Sequence, residues 1–391
     1  MRKKIAFIAT GYIVKYDGIS VYTENLLDTF LASVAEKEKT YDIDIYTGES
    51  VEKLIRERVL SRHEARCLSY RLITVEDKTF FHKMFNLYKT ILQNGRYDVI
   101  FATNFMPLSL LPGRVVKVIH DLSPETNPHL YSRFHRIYHA FLLRSGKWFD
   151  SAMGYISEQT KADLQKFYRI DETNTRLLYL PNGVPFKVKN FERPSQKVFA
   201  KKFADKKLNL LVVGRLNRAK GVDRILQFCT WFDDFLASHE VFDEVVLHFT
   251  GKQTQETTDL FRDAKFQHIE IVFDGFLDDE TLNRLYTEAN FCIFLSRNEG
   301  YGLPLVEAMW FRAIPVLSDI PIFREIMKDE YPLFGETEGF EKAITEFMVR
   351  VYEDPDYRSR TEGYVERILS HEREGYARAA DNLIDYIDTE A

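Results

Sequence analysis

Two glutamates, Glu299 and Glu307, stand eight positions apart, with Gly300-Tyr301-Gly302-Leu303-Pro304 between them. An ionised carboxylate only accepts hydrogen bonds, so Glu307 suits a ribose diol and Glu299 a sugar hydroxyl. Earlier in the chain, Arg215 and Lys220 stand five positions apart. Two cations so placed would clamp a diphosphate and stabilise the charge that develops as it departs. His120 adds a ring nitrogen that can hydrogen-bond another hydroxyl. Singly, each has a plainer reading: a solvated basic loop, or a structural histidine. Together they could hold the ribose, diphosphate and sugar of one sugar nucleotide.

Those residues need elements to aim them. NFCIFLS (290–296) reads as a buried parallel strand, and PLVEAMWF as a helix start with Pro304 in its first turn. Unpaired N–H groups at such a terminus favour phosphate. LNLLVVGRL (208–216) is a second buried strand that delivers Gly214-Arg215, with Lys220-Gly221 before the next helix. VVKVIHD (115–121) ends in His120, and Asp121 can cap the following turn.

Strand-like and helix-like segments alternate along the whole chain, the pattern of an α/β parallel-sheet protein. IAFIA (5–9), YDIDIYT (41–47), YDVIFAT (97–103), AMGYIS (152–157) and RLLYLPNGV (176–184) belong to a first half, in which Ser157 caps a helix. Residues 185–207 are basic and lack a clear period, which predicts a connection holding a short helix. The pattern then restarts with VVLHFTG (245–251), IEIVFDGF (269–276) and IPVLSD (314–319), and 356–388 read as long helix. Two such halves predict two Rossmann-like domains facing a central cleft, with ligands at the carboxyl ends of the strands. A Gly-x-Gly-x-x-Gly after the first strand is absent, which argues against a nicotinamide-dependent dehydrogenase.

Three scattered cysteines, Cys67, Cys229 and Cys292, lack metal-ligand spacing and suit a reducing compartment. The opening MRKKIAFIATGYIV reads as a first strand rather than a signal peptide, because Thr10-Gly11 breaks its apolar run. No apolar run approaches the roughly 20 residues of a membrane span. Residues 1–185 hold 26 Lys and Arg against 21 Asp and Glu, and the remainder 27 against 38. A basic first half suits an anionic partner, and it equally fits ordinary scatter between two domains. Two stretches carry apolar stripes with basic residues. In 78–96 these are Phe80, Phe81, Met84, Phe85, Leu87, Tyr88, Ile91 and Leu92, with Lys83 and Lys89. In 129–149 they are Phe134, Ile137, Tyr138, Phe141 and Leu142, with Arg133, Arg136, Arg144 and Lys147. Such helices either pack on their own sheet or lie on anionic lipid.

The ordered set GRLNRAKGVDRILQF, FDGFLDDETLNRLYTEANFCIFLSRNEGYGLPLVEAM and PVLSDIPIFRE resembles the C-terminal half of retaining GT-B glycosyltransferases, a GT4-like family (glycosyl transferases group 1). GISVYTENLL, VIHDLSPETNP, ISEQTKADL and YLPNGV resemble the N-terminal half, so the likeness runs from about residue 5 to 330. The resemblance implies an acceptor-binding domain over 1–187, a nucleotide-sugar-binding domain over 188–365 and a last helix, 366–391, that crosses back to the first domain. It assigns Arg215 and Lys220 to the diphosphate, Glu299 to the donor sugar and Glu307 to the ribose. Gly300, Tyr301, Gly302 and Leu303 fall in the loop whose backbone approaches the donor. Gly18 matches the glycine-rich first loop, and His120 the active-site histidine. His120, Glu299, Arg215 and Lys220 are thereby the catalytic set.

Two positions depart from the family pattern. Asp17-Gly18 replaces a glycine pair, so Asp17 alters the acceptor mouth or starts the turn. Arg312-Ala313 stands where relatives carry a glycine and one residue fewer, which requires a remodelled helix end. The implied reaction is metal-independent, without any cofactor. A hexose or deoxyhexose moves with retention from a nucleotide-diphosphate sugar to a glycan or lipid-linked acceptor, in surface polysaccharide or glycolipid synthesis. The implied setting is cytoplasmic or peripheral at the inner face of the membrane, with an anionic membrane surface as a candidate partner of the basic N-terminal helices. No nucleic acid partner is expected. A GT-B-fold nucleotide-sugar epimerase and a non-catalytic sugar-nucleotide-binding scaffold are the alternatives.

Overall fold

The computed structural model describes residues 2–11, 17–66, 68–104, 106–128, 131–328 and 330–389. Cys67, His129 and Leu130 lie outside the described residues, as do the side chains of Phe80 and Phe81. The chain divides into two compact units, Met1–Gly183 with Glu374–Ala391, and Val184–Arg373.

The first unit runs β1 (Lys3–Ile8), α1 (Gly18–Glu36), β2 (Tyr41–Gly48), α2 (Glu52–Arg58), β3 (Ser69–Val75), α3 (Phe80–Gln93), β4 (Val99–Ala102), β5 (Arg114–Ile119), α4 (Ser123–Thr126), α5 (Arg133–Phe149), β6 (Ala152–Tyr155), α6 (Glu158–Tyr168) and β7 (Leu177–Tyr179). Its parallel sheet has the order β3-β2-β1-β4-β5-β6-β7. The central strands β1 and β4 are apolar and buried, as expected where helices cover both faces. Asp17 caps α1 by accepting from the Ser20 amide, so it starts the helix, and Ser157 caps α6 in the same way from Thr160. Inside β5, Lys117 is fully buried and pairs with buried Asp150 at 2.8 Å and Ser109 at 2.7 Å.

The two basic stripes behave differently. On α3, Met84, Leu87 and Ile91 enter the core, while Phe85 and Leu92 stay exposed. On α5, Leu142 turns inward with Leu143 and Gly146, and Phe134, Ile137 and Phe141 do not.

The second unit begins with α7 (Phe186–Lys189) and α8 (Gln196–Lys201), two short helices where one was expected. It continues with β8 (Lys207–Val213), α9 (Val222–Leu236), β9 (Glu244–Thr250), α10 (Gln255–Phe261), β10 (Glu270–Gly275), α11 (Asp279–Glu288), β11 (Phe291–Phe294), α12 (Leu303–Trp310), β12 (Ile314–Ser318), α13 (Pro321–Met327), β13 (Leu333–Phe334), α14 (Phe340–Glu353) and α15 (Pro355–Glu372). The parallel sheet has the order β10-β9-β8-β11-β12-β13. The chain therefore moves outward on one side from β8, then crosses to the other side at β11. The ends of β8 and β11 form a topological switch point.

The end of α12 is remodelled at the departure seen in the sequence. Arg312 adopts a left-handed conformation, φ 58°, where glycine is the unstrained choice. Its guanidinium compensates by donating to the Pro194 carbonyl at 2.7 Å and to Gln196 at 2.8 Å, and by pairing with Glu362 of α15. Half-buried Lys202 closes the same corner, donating to the carbonyls of Ala289, Phe311 and Arg312 at 3.0, 3.1 and 3.2 Å. Those carbonyls lie at helix ends, where no further turn supplies a donor.

The helical tail is two helices rather than one. After α15 the chain turns at 373–374 and re-enters the first unit as α16 (Gly375–Thr389). A Cβ at residue 375 would lie 1.6 Å from the Asn182 carbonyl oxygen, so glycine lets α16 start against that backbone. The helix buries Leu383, Ile384 and Ile387 beside α1, each contributing about 1.5–3 kcal/mol. Asp388 fastens its far end, pairing with Lys39 at 2.6 Å and accepting from Tyr41 at 2.5 Å. Among the described residues, no helix is long and apolar enough to cross a membrane.

Candidate active site

The switch point of the second unit gathers the residues that the sequence singled out there. Asn217 starts a tight turn over 218–220 by accepting from the Lys220 amide. The turn closes at Gly221, φ 72°, where a Cβ would lie 1.9 Å from the Leu295 carbonyl oxygen. Only glycine permits the loop after β8 to press on the end of β11. Arg297 then ties the two loops: its amide donates to the Ala219 carbonyl at 2.9 Å, and its guanidinium to the Arg218 carbonyl at 2.9 Å and to Asp223 at 2.6 Å. From below, buried Arg224 of α9 donates to the Leu295 and Phe334 carbonyls, both at 3.3 Å.

On this frame Lys220 forms an ion pair with Glu299, whose other oxygen accepts from the Ser296 hydroxyl at 2.8 Å. Arg215 is exposed just past β8. Glu307 sits on the fifth residue of α12 and is only 4% exposed. Both its oxygens are engaged: Lys187 of α7 lies at 2.9 Å and the Tyr286 hydroxyl of α11 donates at 3.0 Å. Burial, with the Glu307 charge beside it, holds the Tyr286 phenol well above its ordinary value, so it remains a donor.

Gly300 continues the loop after Glu299, and Gly302 is the N-cap of α12 with φ 87°. Without a side chain it leaves the first turn, beginning at Leu303, uncapped. Tyr301 is buried and its hydroxyl donates to Glu372 of α15, so its ring ties the loop to that helix. The sequence reading missed Lys187, Tyr286, Arg224 and Arg297. Arg224 carried a legible signal, a charge between Val222, Ile225 and Phe228 on a core-facing stripe. Lys187 gave none, because its partner is far away in sequence.

The remaining two candidates belong to the first unit. Gly18 is the first residue of α1, and among the described residues nothing lies within 4 Å of where a Cβ would stand. His120 follows β5. Its Nε2 lies 2.8 Å from the Thr103 carbonyl oxygen, which can only accept, so Nε2 carries the proton and Nδ1 the lone pair. Burial pushes the imidazole below its ordinary value, against the pull of Thr103, and the ring is held edge-on by Tyr22 at 4.8 Å. Asp121 accepts from the Ser123 amide at 2.8 Å, a local turn that leads into α4, whose N-cap is Leu122.

Residues 195–367 match the family model described as glycosyl transferases group 1. The second unit is a group 1 glycosyltransferase domain. The whole chain superposes on WaaG, a glycosyltransferase involved in lipopolysaccharide biosynthesis, with TM-score 0.66 over 98% of this chain and 100% of that one, at 16% identity. At the level of fold the two units are therefore the Rossmann-like pair of GT-B. Among curated relatives, the serotype-specific mannosyltransferase WbdA of Escherichia coli is 35% identical over 85 residues, 21% of this chain. That match spans only 10% of the length of WbdA. The O-antigen chain mannosyltransferase RfbU of Salmonella typhimurium is 23% identical over 279 residues, 71% of this chain and 72% of its own length. In the group 1 domain, Lys220, Glu299 and Glu307 all sit on or beside the switch point formed by β8 and β11.

Proposed function

We propose that the protein is a retaining glycosyltransferase. It moves a hexose or deoxyhexose from a nucleotide-diphosphate sugar to a glycan or lipid-linked acceptor in surface polysaccharide or glycolipid synthesis. The observation that carries this reading is the pairing of Lys220 with Glu299 beside a buried, doubly held Glu307 at one switch point. Glu307 accepts from the ribose diol. Arg215 and Lys220 take the diphosphate, and the uncapped start of α12 adds backbone N–H groups. When Lys220 moves to phosphate, Glu299 is released to accept from the donor sugar, with Ser296 keeping its carboxylate in place. His120, kept neutral by burial, accepts from a sugar hydroxyl through Nδ1.

The bond broken is that between the anomeric carbon and the diphosphate oxygen. The leaving negative charge falls on the oxygens that Arg215 and Lys220 face. The acceptor hydroxyl attacks the same face, and its proton passes to the departing phosphate. Cationic side chains occupy the role that a divalent ion would otherwise fill, so the reaction is metal-independent. The two glutamates bind and orient rather than act as the acid and nucleophile of a hydrolase. The names of WbdA and RfbU support mannose as the first sugar to try.

A thermal-shift screen against UDP, GDP, dTDP and ADP, repeated with Glu307→Ala, tests the proposal. One nucleotide should raise the melting temperature by mass action, and the variant should lose that shift. Absence of any shift, or an undiminished shift in the variant, would overturn the placement of the ribose. Nucleotide binding without any sugar transfer would favour the scaffold reading.

A further inference from the structure

The first unit has a switch point of its own. Its chain moves outward from β1 through β2 to β3 and then crosses to β4, so the carboxyl ends of β1 and β4 lie at the reversal. Thr10 and Gly11 follow β1, Asn104 follows β4, and His120 follows the neighbouring β5. Lys83, read from the sequence as part of the basic flank of α3, turns to this point and donates to the Thr10 carbonyl. Its side chain is half-buried and, among the described residues, has that one hydrogen bond and no ion pair. The acids nearest it in the chain are engaged elsewhere. Asp77 accepts from the Ser50 hydroxyl at 2.5 Å, and Glu76 pairs with Lys78 at 2.5 Å and with His82 at 2.8 Å. Burial pushes the Lys83 ammonium below its ordinary value, and the Asp77 charge opposes this only in part. One residue beyond Thr10, a Cβ at Gly11 would lie 2.6 Å from Nδ2 of Asn104, so the amide packs on that backbone. The Asn104 Oδ1 is buried and, among the described residues, has no hydrogen-bond partner.

We propose that Lys83 binds an anionic group, phosphate or carboxylate, on the acceptor, so that the protein glycosylates an acidic sugar. This rests on the transfer reaction proposed above and names the acceptor class within it. A half-buried cation without an anion is unfavourable, and so is a buried polar atom without a partner. An acidic sugar relieves both: its anion restores the charge that burial disfavours on Lys83, and a hydroxyl supplies the donor that Asn104 lacks. The anion belongs to the acceptor rather than to the donor because the second unit already carries Arg215 and Lys220 past β8 for the diphosphate.

Trace acetylation of the full chain with acetic anhydride, read at Lys83 by peptide mass spectrometry, tests this on the wild-type protein. Only the neutral amine reacts, so an anion that pairs with Lys83 protects it. The probes are glucose 1-phosphate and glucuronate, with glucose as the uncharged control at equal ionic strength. One acid should lower labelling of Lys83 about threefold or more while glucose does not, by mass action on the bound state. Which of the two protects separates phosphate from carboxylate. Titration calorimetry of the protecting probe should show about tenfold weaker binding to Lys83→Gln, the worth of a hydrogen bond to a charged group. The probe should bind wild type with the nucleoside diphosphate present, since donor and acceptor must be held together. Protection by neither acid, unchanged affinity in the variant, or mutual exclusion of probe and nucleotide would overturn the proposal. So would equal protection by the nucleoside diphosphate alone, since Lys83 would then serve the donor. Protection by an acid in a chain that no nucleotide stabilises would support the anion site while the transfer reading fails, so the two are told apart.

Discussion

Replacing Lys220 by alanine separates chemistry from folding. Its side chain is 33% exposed, and that of its partner Glu299 is 11% exposed. A pair so open to solvent contributes about 0.2–1 kcal/mol, and Glu299 keeps the Ser296 hydroxyl after the lysine is gone. For a unit of this size that amounts to a fall of no more than about 2–4 °C in melting temperature. The loss to catalysis is larger. On the proposed reading Lys220 meets the departing diphosphate, and removing one such stabilising donor costs about 10²–10³ in kcat, or about 3–4 kcal/mol. The assay is release of nucleoside diphosphate coupled to sugar transfer, alongside a thermal melt of the same preparation. Wild-type turnover in Lys220→Ala would refute the diphosphate assignment. A fall in melting temperature well beyond that range would show Lys220 to be structural, and the activity loss would then lose its meaning.

Arg312→Gly should destabilise the protein by about 1–3 kcal/mol in a denaturant melt, although glycine suits φ 58°, because relief of backbone strain is smaller than the loss of the Glu362 partner. A more stable variant would contradict the compensation described at the end of α12. Burial pushes Lys202 down from its ordinary value to about 7. Between that value and the unfolded value of 10.5 the unfolded chain binds the extra proton. Stability should therefore rise with pH across that window, by up to about 1.4 kcal/mol per unit, and Lys202→Met should lose this contribution to the slope. Identical pH profiles would rule it out. Sugar transfer should persist in full in EDTA, and activity lost to the chelator and restored by Mg²⁺ would contradict the metal-free mechanism.

What the sequence made legible follows from where each signal lies. The glutamates, Lys220 and the strands that carry them are local patterns: apolar runs, a glycine-bearing loop, a proline in a first turn. Helix α6 is legible from Ser157, since a cap is a local device, whereas Asp17 left open whether it starts a turn or alters the acceptor mouth. Edge strand β3 was not recognised, because its exposed residues interrupt the apolar pattern that marks the inner strands. Lys117 inside β5 gave no warning of Asp150, nor Lys187 of Glu307, since an ion pair between distant segments leaves no periodic trace. The stripe on α5 was legible as amphipathic, but periodicity does not tell which apolar side chains turn inward. Only the packing of Leu142, Leu143 and Gly146 does that.

The two ion pairs, Lys220 with Glu299 and Lys187 with Glu307, leave each candidate carboxylate already compensated by a lysine of the same unit. A ligand gains little by meeting only one of them. Inorganic phosphate that draws Lys220 away leaves Glu299 with a hydroxyl for company, and a free sugar must compete for a carboxylate still held by its lysine. On the proposed reading an intact sugar nucleotide would meet both carboxylates in one event. On that reading the resting pairs would act as a coincidence detector, raising the threshold for fragments and product analogues while leaving the complete donor favoured. Such a site would ignore the free phosphate and monosaccharide of its surroundings, a form of selectivity set by what the protein does to itself before anything binds.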